Sequence, residues 1–170
     1  MAFVQGTVPF NLDGRKVYNI DYSVGDGQHN RKDDVMLVQK LLRFVFYETG
    51  YGPKKGFPVL SDVPDIAVDG ACGPTTRRYI VYFKQCLRKT GYSVYPDAII
   101  LPFGPDVTQK SVVTKTAYTM AHLLETARHA DDEAPLKSLE LLANQPDLPP
   151  ELSNSLKQVK PKAPGYRPGT

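Results

Sequence analysis

The run Val68-Asp69-Gly70-Ala71-Cys72-Gly73-Pro74-Thr75-Thr76-Arg77-Arg78-Tyr79-Ile80-Val81-Tyr82-Phe83-Lys84-Gln85 decides how the rest of the chain is read. It describes a tight turn that opens a helix. Gly70 and Gly73 are expected to supply backbone freedom where a side chain would clash. Pro74 suits the first helical turn, where its missing N–H is no loss. Beyond it Thr76, Ile80, Phe83 and Leu87 recur at helical spacing, with Tyr79 and Cys86 flanking the same stripe. That stripe needs an apolar surface to lie on.

The surface comes from upstream, in Asp33-Asp34-Val35-Met36-Leu37-Val38-Gln39-Lys40-Leu41-Leu42-Arg43-Phe44-Val45. An aspartate here can cap a helix N-terminus, and its charge suits the positive end of the helix dipole. Val35, Val38, Leu41, Leu42 and Val45 form one apolar face, and Gly50 followed by Gly52-Pro53 marks a stop. Two helices, over residues 34–48 and 74–89, are therefore expected to pack together.

Taken together, Asp-Val-x-x-Val-Gln-x-Leu-Leu (residues 34–42) and Val-Asp-Gly-x-x-Gly-Pro-x-Thr-x-x-x-Ile-x-x-Phe (residues 68–83) resemble the peptidoglycan-binding domain family. The resemblance implies a small helical domain that recognises bacterial cell-wall glycopeptide. The family's turn-and-cap motif falls on Asp69, Gly70, Gly73, Pro74 and Thr76, and its core positions on Val38, Leu41, Leu42, Ile80 and Phe83. It implies a shallow groove near the turn, with ligand contacts at Asp69, Gly70, Gly73 and Thr76 and a tyrosine ring, Tyr79 or Tyr82, stacking on sugar. Cys72 stands where the family usually has an aromatic, and Lys84 where a glutamine is usual. The second Asp-Gly turn of the family is replaced by Tyr95-Pro96-Asp97-Ala98, and the Gly52 to Pro64 segment is longer than the simplest members need.

The expected fold is mainly α: a small three-helix core with an N-terminal β-hairpin arm and an extra C-terminal helix. Residues 1–27 form the arm, since Val8, Phe10 and Leu12 alternate before Asp13-Gly14 and Tyr18, Ile20, Tyr22 and Val24 alternate after it. Such a hairpin is marginal alone, so it packs on its own domain or adds to a partner's sheet. Residues 28–130 form the helical domain, with 50–64 as a loop and 92–107 as an extended connection or short strand. Its third helix is expected over residues 111–128, with Val113, Ala117, Met120, Leu124 and Ala127 as the apolar stripe. Residues 131–156 hold shorter helices, the first capped by Asp131 or Asp132, and residues 157–170 form a basic, proline-rich tail. Alone in solution that tail is expected to be extended or disordered.

Composition narrows the function classes. The 170 residues carry a net charge of +3, with 41% hydrophobic and 23% charged residues, which is ordinary for a globular protein. No apolar run is long enough to span a membrane, and Met1 to Gly6 lacks the basic and apolar regions of a secretion signal. Cys72, just before the expected helix start at Pro74, and Cys86, well along that helix, lie too far apart to pair, and free thiols fit synthesis in the cytoplasm. A virion or injection particle would carry such a protein outward without a signal peptide.

The chemistry-bearing residues point away from catalysis. His122, Glu125 and His129 share a helical face but lack the tight spacing of zinc peptidases, so a solvated face is the better account and no metal or cofactor is expected. Cys72 has no histidine near it in sequence and reads as a small buried thiol. Asp69 reads first as the organiser of its own loop through backbone N–H groups, and second as a ligand contact. Arg77, Lys84 and Arg88 share a basic face that suits solvent, an acidic protein or an anionic wall polymer before nucleic acid. The expected function is a non-catalytic peptidoglycan-binding-like protein within a larger assembly, such as a tailed-phage virion or contractile injection machine. Its expected partners are peptidoglycan and other subunits met through arm and tail, without membrane or nucleic acid. The alternative is an adaptor that uses the same fold only as a protein-protein scaffold.

Overall fold

A computed structural model of the chain describes residues 2–5, 17–102, 119–134 and 139–160. Along the chain run β1 (Phe3–Gln5), β2 (Val17–Asn19), β3 (Val24–Gly25), α1 (Lys32–Arg43), a π-helical turn (Phe44–Glu48), α2 (Tyr51–Lys55), α3 (Pro74–Lys89), β4 (Ile99–Ile100), α4 (Thr119–Glu133), a 3-10 turn (Leu139–Asn144), α5 (Pro150–Leu156) and β5 (Val159–Lys160). The fold is mainly helical with a short N-terminal hairpin, as the sequence predicts. Among the described residues no helix is long and apolar enough to cross a membrane.

Helix α1 is the axis of the molecule. Val35, Val38, Leu41, Leu42 and Val45 are buried as their spacing predicts, but Met36, Leu37, Gln39 and Lys40 are buried as well. The helix is enclosed rather than one-faced, because α3, α4, α5 and β3 all pack on it. Lys40 is tolerated inside because Glu48 accepts its ammonium through both carboxylate oxygens, each at 3.0 Å.

On α3 the predicted stripe holds completely: Thr76, Tyr79, Ile80, Phe83, Cys86 and Leu87 are all buried. Pro74 is its first residue. Lys84, expected on the basic face, is instead buried and bonded to the Asp97 carboxylate and the Ile99 carbonyl, which anchors β4 to the helix. Burial lowers its pKa against the raising effect of Asp97. Strand β4 pairs antiparallel with β3, Val24 opposite Ile100, so the 92–107 connection does contain a short strand. The 50–64 segment departs from the loop expected there, since Tyr51–Lys55 forms one short helix.

The first turn of α1 works differently from a simple cap. Arg31 occupies the N-cap position, and no side chain caps the helix there. Asp33 and Asp34 turn away from their own helix and hold other segments. The Asp33 carboxylate accepts the Ala2 N–H at 3.0 Å and the Ser155 hydroxyl at 2.8 Å. The Asp34 carboxylate accepts the N–H groups of Asp21 and Tyr22, both at 3.2 Å. Burial pushes the Asp34 carboxyl up to about 6, and the neighbouring Asp33 charge adds to the effect.

That shift gives a pH signature. Between the ordinary carboxylate value and about 6, the folded chain holds a proton that the unfolded chain has released. Stability from this group is therefore lost as pH rises through that window. Relative to Asp34→Asn, the wild type is expected to lose about 2–3 kcal/mol between pH 4 and pH 7. Denaturant melts of both proteins across that range check it; a difference that stays flat or grows with pH contradicts it.

The N-terminal hairpin is part of the body of the protein. Strands β1 and β2 pair antiparallel with Phe3 opposite Asn19, and β5 adds in parallel on the other side of β1 with Val4 opposite Val159. Val17 and Tyr18 are fully buried, and the Tyr18 hydroxyl donates to the Leu139 carbonyl at 2.7 Å. This favours packing on its own domain over a free arm. The first residues of the expected tail join the same sheet as β5. The turn expected at Asp13-Gly14, the first part of the helix expected over 111–128 (residues 111–118) and residues 161–170 lie outside the described residues.

In the C-terminal part, Met120, Leu124 and Ala127 of α4 are buried as predicted. The helix runs past Arg128 to Glu133 and takes in Asp131 and Asp132. Asp131 still serves the next element from inside α4, accepting the Leu139 N–H at 2.9 Å.

Candidate functional site

The signature turn, residues 69–73, sits where α1 and the start of α3 meet, and one buried side chain joins them. Gln39 follows Val38 on the enclosed helix and is buried. Its Oε1 accepts the N–H of Asp69 at 3.1 Å and of Gly70 at 2.9 Å. Its Nε2 shares two hydrogens among three acceptors, the Asp69 carboxylate at 2.9 Å, the Thr76 hydroxyl at 3.0 Å and the Ala71 carbonyl at 3.1 Å. The Asp69 carboxylate accepts the Ala71 N–H at 2.9 Å, closing the turn on itself. Those two bonds, the Ala71 N–H first and Gln39 second, lower the Asp69 pKa.

This network explains the turn without a ligand. Asp69 organises its own loop, in agreement with the first of the two readings of that residue. Gly70 has φ +78, and a Cβ there would lie 2.4 Å from Lys32 Cγ and 2.9 Å from the Lys32 carbonyl oxygen. Gly73, in contrast, has an ordinary φ of −81 and open space around it, so the expected clash is absent at that position.

The predicted ligand contacts separate into two groups. Asp69, Gly70 and Thr76 gather around Gln39, with Gly73 at the N-cap of α3. Thr76 is buried, so its hydroxyl faces the protein. Tyr79 and Tyr82 instead gather around Phe46, at ring-centroid distances of 5.1 and 5.6 Å. Tyr79 is 0% exposed, and its hydroxyl accepts the Leu60 N–H at 3.2 Å. An exposed Tyr79 ring for a sugar is therefore ruled out. Tyr82 is half-buried with its ring stacked on Phe46 at 21°.

Of the expected basic face, Lys84 is withdrawn into its contact with Asp97, and Arg77 lies 3.5 Å from the Asp26 carboxylate. Cys72 is half-buried and Cys86 buried, both as free thiols, and burial raises the pKa of each. His122 is buried while Glu125 and His129 are exposed, and among the described residues no group of three or more His, Cys, Asp or Glu side chains could hold a metal ion. Burial lowers the His122 pKa, which favours the neutral imidazole.

The sequence reading places Gln39 inside the first motif but gives it no role. Its signal was a lone amide inside an apolar helical face, at a position the pattern reserves for the core. No family model, no curated protein and no solved structure matches the chain.

Proposed function

We propose that this protein is a non-catalytic recognition module of the peptidoglycan-binding type, acting as a component of a larger assembly. The observation that carries the reading is the Gln39 node. It ties the two signature stretches, thirty or so residues apart in sequence, into one rigid turn at the surface, with Asp69 and Ala71 exposed. The motif pair supports wall recognition. The basic, proline-rich sequence of residues 161–170 supports attachment within a particle such as a tailed-phage virion or an injection machine.

Co-sedimentation with purified peptidoglycan sacculi tests the reading. Saturable retention that survives moderate salt is expected, because charge attraction to anionic wall polymers is screened there. Absence of retention overturns wall recognition. A second reading, an adaptor without wall binding, is favoured by the burial of Thr76 and Tyr79, which removes two of the contacts the motif implies.

A further inference from the structure

The C-terminal end of α3, roughly 24 Å along the helix from the signature turn at ~1.5 Å per residue, borders a cleft of about 270 Å³. Helices α2, α3 and α4 contribute its walls. Tyr51, Phe57 and Tyr92 give it aromatic surface, and His122, Glu125 and His129 line it from α4. Tyr92 is 48% exposed, and its ring meets the His122 ring at 5.0 Å and 77°, which fixes its orientation. Phe57, only 5% exposed, makes the cleft floor apolar.

We propose that this cleft is a saccharide subsite that takes one pyranose ring. The proposal rests on the wall-recognition reading and places its glycan contact away from the signature turn. Three features select the ligand class. The volume lies just under the range of drug-sized pockets, so it fits one small ring rather than an extended chain. An exposed aromatic ring offers a flat apolar face of the kind on which a sugar's C–H face lies. Around it stand mixed donors and acceptors: the Glu125 carboxylate, the His129 imidazole and the Thr90 hydroxyl, whose proton goes to the Leu87 carbonyl at 2.8 Å, leaving its oxygen to accept.

Charge argues the same way. Lys55 lines the cleft but lies 3.6 Å from the Glu133 carboxylate, so its charge is partly matched. Glu125 opposes any anion entering beside it. A neutral, hydroxyl-rich ring meets this set better than a phosphate or a lipid tail.

Titration of the full chain with N-acetylglucosamine, followed by amide chemical shifts, tests the proposal. Shifts confined to the cleft, at Tyr92, His122, Glu125 and His129, are expected with millimolar affinity. Tyr92→Ala is expected to weaken binding about tenfold, while Tyr92→Phe keeps the ring and binds like wild type. Inorganic phosphate is expected to leave the cleft unshifted. A silent cleft, shifts confined to residues 69–73, or unchanged affinity in a folded Tyr92→Ala variant overturns the proposal. Sacculi retention with a silent cleft removes only this subsite; a responsive cleft without sacculi retention removes only the wall-recognition reading.

Discussion

Gln39→Leu is expected to lower stability by about 3 kcal/mol, or close to 10 °C in Tm for a chain of this size. The side chain contacts five polar groups, the backbone of Asp69, Gly70 and Ala71 and the side chains of Asp69 and Thr76, with its two amide hydrogens shared among three acceptors. A typical bond contributes about 1 kcal/mol net. The total is smaller than five such bonds because two amide hydrogens serve three acceptors, and because Asp69 and Ala71 are exposed and can turn to water. Thr76 is buried and cannot do so without moving α3.

Gln39→Glu sharpens the test, because it keeps the size and replaces the donor. At neutral pH a second carboxylate would face Asp69 across the 2.9 Å contact that the amide now makes. This variant is expected to be less stable than Gln39→Leu at pH 7 and to recover as the pH falls and the new carboxyl takes up a proton. Thermal melts of the three proteins at pH 4 and pH 7 check both statements. Equal stability of Gln39→Glu and wild type at pH 7 would remove the node from the account.

The second large effect is at Gly70. Gly70→Ala is expected to cost about 2–3 kcal/mol, combining the penalty of a left-handed conformation with a forced shift of α1. Lys32's side chain could swing aside, at the expense of its 2.8 Å contact with Glu151. Its carbonyl oxygen, 2.9 Å from the new Cβ, cannot move without the first turn of α1. Gly73→Ser is expected to be neutral or stabilising by about 0.5 kcal/mol, since serine caps a helix well and the backbone there is extended. Chemical denaturation of both variants separates the two glycines of one motif. Equal losses at the two positions would contradict the geometry.

Helix α3 was legible because its information is local. A proline at the first position and apolar residues at helical spacing define both its start and its buried face. Helix α1 was legible as a helix but not as the enclosed axis. Asp34, Gln39 and Lys40 carry polar side chains, and an apolar stripe alone gives no partner for them inside the protein. Their burial depends on partners supplied by Asp21 and Tyr22, by the 69–76 turn, and by Glu48. Lys84 failed as a basic-face residue for the same reason, since Asp97 reaches it from a loop.

The site was half legible. Asp69 as a loop organiser follows from the known habits of aspartate in turns. Tyr79 could not be placed, because a tyrosine on an amphipathic helix suits either a core with one polar partner or a wet surface. Phe46, Tyr47 and Phe57 settle it for the core by closing around the ring or beside it. The continuation of the C-terminal sequence into β5 was hidden as well. Its strand partner β1 lies at the far end of the chain, and a parallel pairing leaves no turn signal to read.

The signature turn is expected to behave as a rigid extension of the core, fixed by Gln39. Amide hydrogen exchange at Asp69, Gly70 and Ala71 tests it most directly. All three N–H groups donate within the node, to Gln39 Oε1 or to the Asp69 carboxylate, although Asp69 and Ala71 are exposed residues. They are expected to exchange as slowly as the core amides of α1 and to become fast together in Gln39→Leu. Exchange at the rate of a free loop in the wild type, with α1 protected, would contradict it.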